Sequence, residues 1–467
     1  MKKVFAAFAF SLLFSLSVIG AESRPVRHAQ GRPNIIFIFA DDWGWGDLSC
    51  HGNDKVKTPN LDKLAKEGID FTQFFVCNPV CSPSRTAVMT GHFPARHSVH
   101  RHFSHLGHQV KNRMPDWLDT KLVMLPRLFK DAGYKTAHFG KWHLSGAKDA
   151  PHSTEYGYDE TALWGGSGPQ ISQDDSAVFD KTIAFMKKHK ESPFFLNVWI
   201  HQTHTPHFPK DQFMKDYEDL DERQQVYSAV IAEGDHGIGR ITKALDDLEL
   251  ADNTLIIFSS DNGPEEPART ERFKKMKNRE GLSLWYSVGS SGGLKGHKRS
   301  LYEGGVRVPF IVRWPRKVPA GKVNNTTVVT AVDLLPTFCR AAGIELPAEY
   351  SSDGQDMLDA FLGKDVRRKK PIFWEWIGPE FMPWGKNPQA KMDWPRLGVR
   401  DGDWKLLMTH DGKRRELYNI VNDSAEKVNA AEKNPEVLEK LTGMAKAWKE
   451  SLPKEPPKHC ISKHRKK

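Results

Sequence analysis

Asn34-Ile35-Ile36-Phe37-Ile38-Phe39-Ala40 is an unbroken apolar run, and Asp41 and Asp42 follow it directly. A strand with one wet face alternates apolar and polar residues. A run that is apolar throughout marks a strand covered on both faces, as in parallel sheets. Phe194–Ile200 and Leu255–Phe258 read as further buried strands, and Lys135–Phe139 also reads as a strand. Between the strands lie stretches with helix start or stop signals. These are Thr58-Pro59 to Gly68, Leu125 to Ala132 before Gly133, Tyr227 to Leu248, and Val332 to Ala342 before Gly343. Alternating strands and helices predict an α/β fold, a doubly wound and mostly parallel central sheet, over residues 33–346. Val306–Trp314 also reads as strand, but Pro309 donates no N–H and suggests an edge or a bulge.

The composition changes after this domain. Trp374, Trp376, Trp384, Trp394 and Trp404 crowd a stretch that holds Asp401-Gly402 and Asp411-Gly412 turns. Such turns between short strands predict antiparallel hairpins. With a helix from Pro435 to Ser451, residues 366–455 read as a smaller C-terminal α+β subdomain, its tryptophans mostly core. Residues 456–467 form a basic tail, expected to be a solvated, disordered end.

The other terminus reads as an export signal. Lys2 and Lys3 precede the apolar run Val4–Ile19 and the small residues Gly20 and Ala21, so residues 1–21 are a signal peptide. The expected product is secreted or periplasmic, with no integral membrane segment after cleavage. Five cysteines in 467 residues do not make a disulfide framework. Cys77 and Cys81 have no second cysteine pair with which to build a zinc site. The formal charge of +10 suits an anionic partner. Because the basic residues are dispersed outside the tail, no nucleic-acid partner is expected.

Chemistry concentrates at the ends of the expected strands, where open α/β sheets bind ligands. Asp41 and Asp42 end the first strand, and Asp261 and Asn262 end the strand at Leu255. Three carboxylates and an amide make a hard-oxygen site suited to calcium or magnesium. The strand at Lys135 runs into Gly140-Lys141-Trp142-His143, and the strand at Phe194 into His201-Gln202-Thr203-His204-Thr205-Pro206-His207. Residues 81–91 read Cys-Ser-Pro-Ser-Arg-Thr-Ala-Val-Met-Thr-Gly. Ser82 is a good N-cap, Pro83 a preferred first helical residue and Gly91 a good stop. Cys81 is thereby placed at a helix N-terminus, where negative charge is favoured, with Arg85 one turn on.

The segment from Cys81 to Gly91 resembles the maturation motif of the type I sulfatases, Cys-x-Pro-x-Arg followed by Thr-Gly. One departure is His92, where many members carry arginine. The resemblance extends over most of residues 33–345, through Asp41-Asp42, Gly-Lys-x-His, the histidine region and Lys298-Arg299-Ser300-Leu301-Tyr302-Glu303-Gly304-Gly305, with a weaker echo at Asp401–Lys405. It implies an alkaline phosphatase-like fold and an exported enzyme that hydrolyses sulfate esters of a sulfated carbohydrate. It also implies that a formylglycine-generating maturation enzyme oxidises Cys81, and that the hydrated aldehyde attacks sulfur. The metal ligands would be Asp41, Asp42, Asp261, Asn262 and residue 81, holding one Ca2+ per chain. Arg85, Lys141, His143, His204 and Lys298 would surround the sulfate. His204 would protonate the leaving oxygen, and His143 would deprotonate the second hydroxyl to expel sulfate. His207 lies near enough to touch substrate. His100 and Arg101, in the histidine-rich segment His97–His108, belong either to the substrate mouth or to a polar surface loop. Two other readings stay open: a phosphomonoesterase or phosphodiesterase of the same superfamily, and a non-catalytic polyanion-binding module.

Overall fold

The computed structural model describes residues 31–171, 175–265, 287–378 and 395–465. The proposed signal peptide and Trp384 and Trp394 lie outside the described residues. The strands are, in chain order, β1 (Asn34–Ala40), β2 (Ile69–Phe71), β3 (Phe74–Phe75), β4 (Lys135–Lys141), β5 (Glu160–Trp164), β6 (Phe194–Trp199), β7 (Thr254–Ser260) and β8 (Arg307–Val308). There follow β9 (Phe310–Arg313), β10 (Lys322–Asn324), β11 (Val329–Thr330), β12 (Ile372–Glu375), β13 (Leu397–Asp401), β14 (Trp404–Met408) and β15 (Arg415–Asn419).

Eight strands form the central sheet in the order β10-β2-β9-β7-β1-β6-β4-β5. The block from β7 to β5 is parallel throughout, so its carboxyl ends share one edge. The two faces of β1 explain its continuous apolar sequence. Ile35, Phe37 and Phe39 face a core that includes Val80, Val88, Leu335 and Phe338. Ile36, Ile38 and Ala40 face a second core with Leu61, Phe179 and Ile238. The helices Cys81–Thr90 and Leu334–Ala341 therefore cover one face, and Pro59–Lys66, Ser176–Lys188 and Glu222–Asp247 the other. Among the described residues, no helix is long and apolar enough to cross a membrane.

The expectation that Pro309 marks an edge holds for the strand before it, an edge strand of its sheet, and not for the strand after it. Pro309 splits the run into β8, in a three-stranded sheet with β3 and β11, and β9, which lies inside the central sheet between β2 and β7. The residue without an N–H stands where the chain leaves one ladder for the next, so neither ladder loses a bond.

The C-terminal sheet, β12-β13-β14-β15, is antiparallel, and Asp401 pairs with Trp404 across the turn at Gly402 and Asp403. The Pro435–Ser451 helix covers it, and its apolar residues join the core that also covers β1. Trp374 and Trp376 are buried. Lys405, in the Asp401–Lys405 echo, is fully buried and pairs with Glu303 at 2.8 Å and Glu426 at 3.0 Å. It thus ties the C-terminal sheet to the Tyr302-Glu303-Gly304-Gly305 turn.

The basic tail is not the disordered end its composition suggests. Cys460 is fully buried, its carbonyl accepts the Asp116 N–H at 2.8 Å, and Arg465 forks onto the Asp116 carboxylate at 2.6 and 2.9 Å. A lysine-rich stretch looks solvated, but one apolar cysteine and one arginine facing a buried carboxylate are enough to dock it. Arg465→Ala leaves Asp116 buried without that partner and is expected to destabilise the protein by about 3 kcal/mol, the scale for breaking a buried ion pair. Denaturant unfolding measures this; a change under about 0.5 kcal/mol would show that the tail contributes no stability through this pair.

Candidate functional site

Cys81 opens the helix Cys81–Thr90, and all ten of its residues are buried. The cap differs from the expected one. Val80, in extended conformation, is the N-cap, whereas Ser82 lies inside the first turn and its Oγ accepts from the Phe103 N–H at 3.0 Å. A serine side chain taken up by a neighbouring segment is not available to cap. At the other end Gly91 adopts φ 63° and its N–H bonds Ala87, which is the stop expected of a glycine.

The parallel edge brings the candidate ligands together. Ala40 pairs with Ser260, and the next residue of β7's chain, Asp261, donates its N–H to the Ala40 carbonyl at 3.0 Å. Carboxylate oxygens of Asp41, Asp42 and Asp261 all lie within 4.8 Å of one another. Asn262 Nδ2 donates to Asp42 Oδ1 at 2.7 Å. The Asp261-Asn262 loop sits this deep because Gly263 lies against Gly304, where an added Cβ would stand 1.8 Å from the Gly304 carbonyl oxygen.

Three cations surround these carboxylates. Arg85 Nη2 donates to Asp261 Oδ2 at 2.6 Å, Lys298 Nζ to Asp42 Oδ2 at 2.6 Å, and Lys141 Nζ pairs with Asp41. Lys141 Nζ also lies 3.6 Å from Cys81 Sγ. Lys295, the other lysine of its block, is spent elsewhere, over the Tyr302 ring at 4.0 Å. Burial pushes the Asp261 carboxyl up to about 7, and the Asp41 charge beside it acts the same way. Burial would raise Asp41 too, but Lys141 and the neighbouring groups outweigh it and hold Asp41 well below the usual range.

The site fits a hard divalent cation. Asp41 Oδ1 and Asn262 Oδ1 are buried with no hydrogen-bond partner, two oxygen acceptors of the kind calcium takes. In formal charges, the three carboxylates match the three cations of the cluster. A bound divalent cation would make it positive and so receptive to an oxyanion.

The histidines differ in their commitments. His143, at φ 51°, bonds the Phe103 carbonyl through Nε2 at 2.9 Å, and its Nδ1 has no partner. Burial, then Lys141, push it down to about 3, so it is a neutral ring with a free lone pair on Nδ1. His204 Nδ1 bonds the Thr205 carbonyl at 2.7 Å, and Nε2 stands 4.0 Å from Asp42 Oδ2. Burial, Lys141 and Lys298 hold its ring well below the ordinary value.

His207 borders a small cavity with His201 and His204. It is 1 % exposed, and its Nε2 bonds the Thr203 carbonyl at 3.0 Å, so it braces the loop that carries His204. His100 is likewise a brace, with Nδ1 on Glu375 Oε2 at 2.8 Å. Arg101 stands over the Trp376 ring at 5.7 Å. His201 has a part that its motif alone does not reveal: Nδ1 lies 3.1 Å from Asp41 Oδ2, and its N–H donates to Asp175 at 2.6 Å. Its position directly past a buried strand was the available signal.

A buried cysteine at a helix N-terminus, an acidic cluster and three cations meet at the carboxyl edge of a doubly wound sheet, an arrangement suited to an oxyanion ester, on an alkaline phosphatase-like fold. The chain matches the Sulfatase family over residues 33–344 and the N-sulphoglucosamine sulphohydrolase C-terminal family over residues 295–451. It belongs to the type I sulfatases and is a sulfuric ester hydrolase. It is 31% identical to the N-acetylgalactosamine-6-sulfatase of Canis lupus familiaris, over 80% of this chain and 74% of that one. It is 28% identical to the N-acetylgalactosamine-6-O-sulfatase of Bacteroides thetaiotaomicron, over 90% and 93%. It is 30% identical to the steryl-sulfatase of Mus musculus, over 76% and 69%. The crystal structure of Ps i-CgsB in complex with k-i-k-neocarrahexaose superposes with a TM-score of 0.74 at 27% identity, covering 92% of this chain and 96% of that one.

Proposed function

We propose that this sulfatase is an exported enzyme acting on a sulfated carbohydrate, with a formylglycine made from Cys81 and one calcium ion held by Asp41, Asp42, Asp261 and Asn262. The observation that carries the reading is the convergence of Arg85, Lys141 and Lys298 on three carboxylates beside the Cys81 side chain. Two of the relatives above are named for a sulfated amino sugar and one structure holds k-i-k-neocarrahexaose, which supports the substrate class. The Lys2-Lys3, apolar and small-residue order of residues 1–21 supports export.

When present, calcium supplies positive charge at the sulfuryl oxygens and the hydrated aldehyde supplies the attacking hydroxyl. Lys141, Lys298 and Arg85 hold the sulfuryl group and stabilise the charge that develops there. His204 gives up the Nδ1 proton position to Thr205, which leaves Nε2 to carry a proton to the leaving oxygen. An ester anion seated between Lys141 and Lys298 offsets the two cations that keep this ring neutral, and so favours its protonation. The free Nδ1 of His143 accepts a proton from residue 81 when sulfate departs.

The test is sulfate release from N-acetylgalactosamine 6-sulfate, 4-nitrophenyl sulfate and a steroid sulfate. The sugar sulfate is expected to be turned over with the higher kcat/KM of the two natural classes. A preference for the steroid would remove the carbohydrate reading. The metal has its own measurement. Elemental analysis is expected to find about one calcium per chain, the capacity of one such oxygen cluster. Asp261→Ala is expected to lose that ion. Stoichiometric zinc, or two metals per chain, would favour a phosphoesterase of the same superfamily instead.

A further inference from the structure

The four residues 100–103 thread between the reactive centre and the C-terminal sheet, and both ends are fixed. His100 is held by Glu375, which Lys449 also pairs with. Phe103 donates its N–H to Ser82 in the nucleophile helix and accepts from His143 Nε2 through its carbonyl. Arg101 and His102 are set between these anchors. The His102 ring lies 6.1 Å from the His143 ring. Arg101 places its guanidinium over the Trp376 ring, and the Trp376 backbone N–H donates to the Arg396 carbonyl at 2.9 Å. Arg101 is thus one residue from a group beside the catalytic histidine and rests on the C-terminal subdomain.

Its electrostatic surroundings are unusual. Among the described residues no carboxylate pairs with Arg101, and its Nε is buried without a hydrogen-bond partner. Burial first, then Arg299 and Arg396, push its guanidinium down to about 10. Arg299 differs, because the Glu265 carboxylate closes it with bonds of 2.5 and 2.9 Å. A partly desolvated guanidinium near two other arginines costs free energy that stacking on one tryptophan offsets only in part. Its planar fork suits a carboxylate or a sulfate equally.

We propose that Arg101, mounted on Trp376, is a second anion-binding subsite, which takes a carboxylate or a further sulfate of the same substrate while Lys141, Lys298 and Arg85 hold the scissile sulfate. The preferred substrate then carries at least two negative charges. The inference rests on the reading of the reactive centre as a sulfate-ester site.

The test separates the two readings by measuring binding apart from turnover. Full-length protein carrying Cys81→Ala is titrated calorimetrically with three probes: N-acetylgalactosamine 6-sulfate, the chondroitin 6-sulfate disaccharide, and glucosamine 2-N,6-O-disulfate. The first carries one charge, the second adds a carboxylate, and the third adds a sulfate. At least one doubly charged probe is expected to bind about 10-fold tighter than the first, the scale of one charge-assisted hydrogen-bond pair. Which one does so identifies the anion. Adding Arg101→Gln is expected to erase that preference, and Arg101→Lys, which keeps charge without the fork, to retain part of it. The lysine variant also decides the matter if the glutamine variant does not melt cooperatively. With Cys81 intact, the same loss is expected in KM for the doubly charged probe and not in kcat. No preference for a second charge, a preference that survives Arg101→Gln, or an equal loss on all three probes each overturns the subsite. An Arg101-dependent preference in a protein that releases no sulfate from any probe leaves the subsite standing and removes the hydrolytic reading of this centre.

Discussion

Cys81→Ala is expected to cut sulfate release by about 10⁴-fold or more, the scale seen when a covalent nucleophile is removed, while leaving the fold intact. The side chain is buried, and deleting one sulfur leaves a void worth about 1 kcal/mol, well inside the stability of a domain this large. What is lost is chemical. The group that faces Lys141 Nζ at 3.6 Å disappears. The unmodified thiol is itself a poor candidate. Burial pushes it up to about 12 despite Lys141 and Lys298, so at neutral pH the sulfur keeps its proton. The active protein is therefore expected to carry an aldehyde at position 81, found as a lighter peptide that forms a hydrazone. Turnover by Cys81→Ala within tenfold of wild type, with an unchanged melting transition, would remove the proposed mechanism entirely.

The parts of this fold that were legible in the sequence were those decided locally. β1 was readable because a strand buried on both faces has no choice but to be apolar at every position. Gly91 was readable because a helix stop in the left-handed region leaves few options. The acidic cluster was readable once two strands were known to be parallel, since Asp41 and Asp261 then fall at one edge. What stayed hidden depends on partners distant in the chain. Ser82 has the chemistry of a cap, and only the position of Phe103 shows that its oxygen is taken. Pro309 suggests an edge, and only the fold shows that the neighbouring segments belong to two different sheets. His207 follows His204 closely in sequence, and only the fold shows that its Nε2 is taken by the Thr203 carbonyl. The tail reads as solvated because its charges outnumber the buried residues that dock it, Cys460 among them.

Loss of His204 is expected to depend on the leaving group. An activated aryl sulfate departs as a stable phenolate and needs little help from a proton, whereas a sugar alkoxide needs one in the transition state. His204→Ala should therefore lose about 10²- to 10⁴-fold on a sugar sulfate, the usual worth of general acid catalysis, and clearly less on 4-nitrophenyl sulfate. The geometry supports the assignment. The Thr205 carbonyl occupies Nδ1, and Nε2 is left on the side of Asp42, toward the cluster that would hold the ester. His143 is expected to behave differently. Its Nδ1 is free and its ring neutral, which suits a base acting after the alcohol has gone. His143→Ala should slow both substrates alike and leave sulfate on the protein, visible by intact mass. The two variants assayed on the two substrates form a square whose corners are all measurable. Equal losses on both substrates in His204→Ala would take the acid role from His204. His207 would offer only its Nδ1, because its Nε2 is committed to Thr203. His201, 3.1 Å from Asp41 and with a free Nε2, would be the next residue to test.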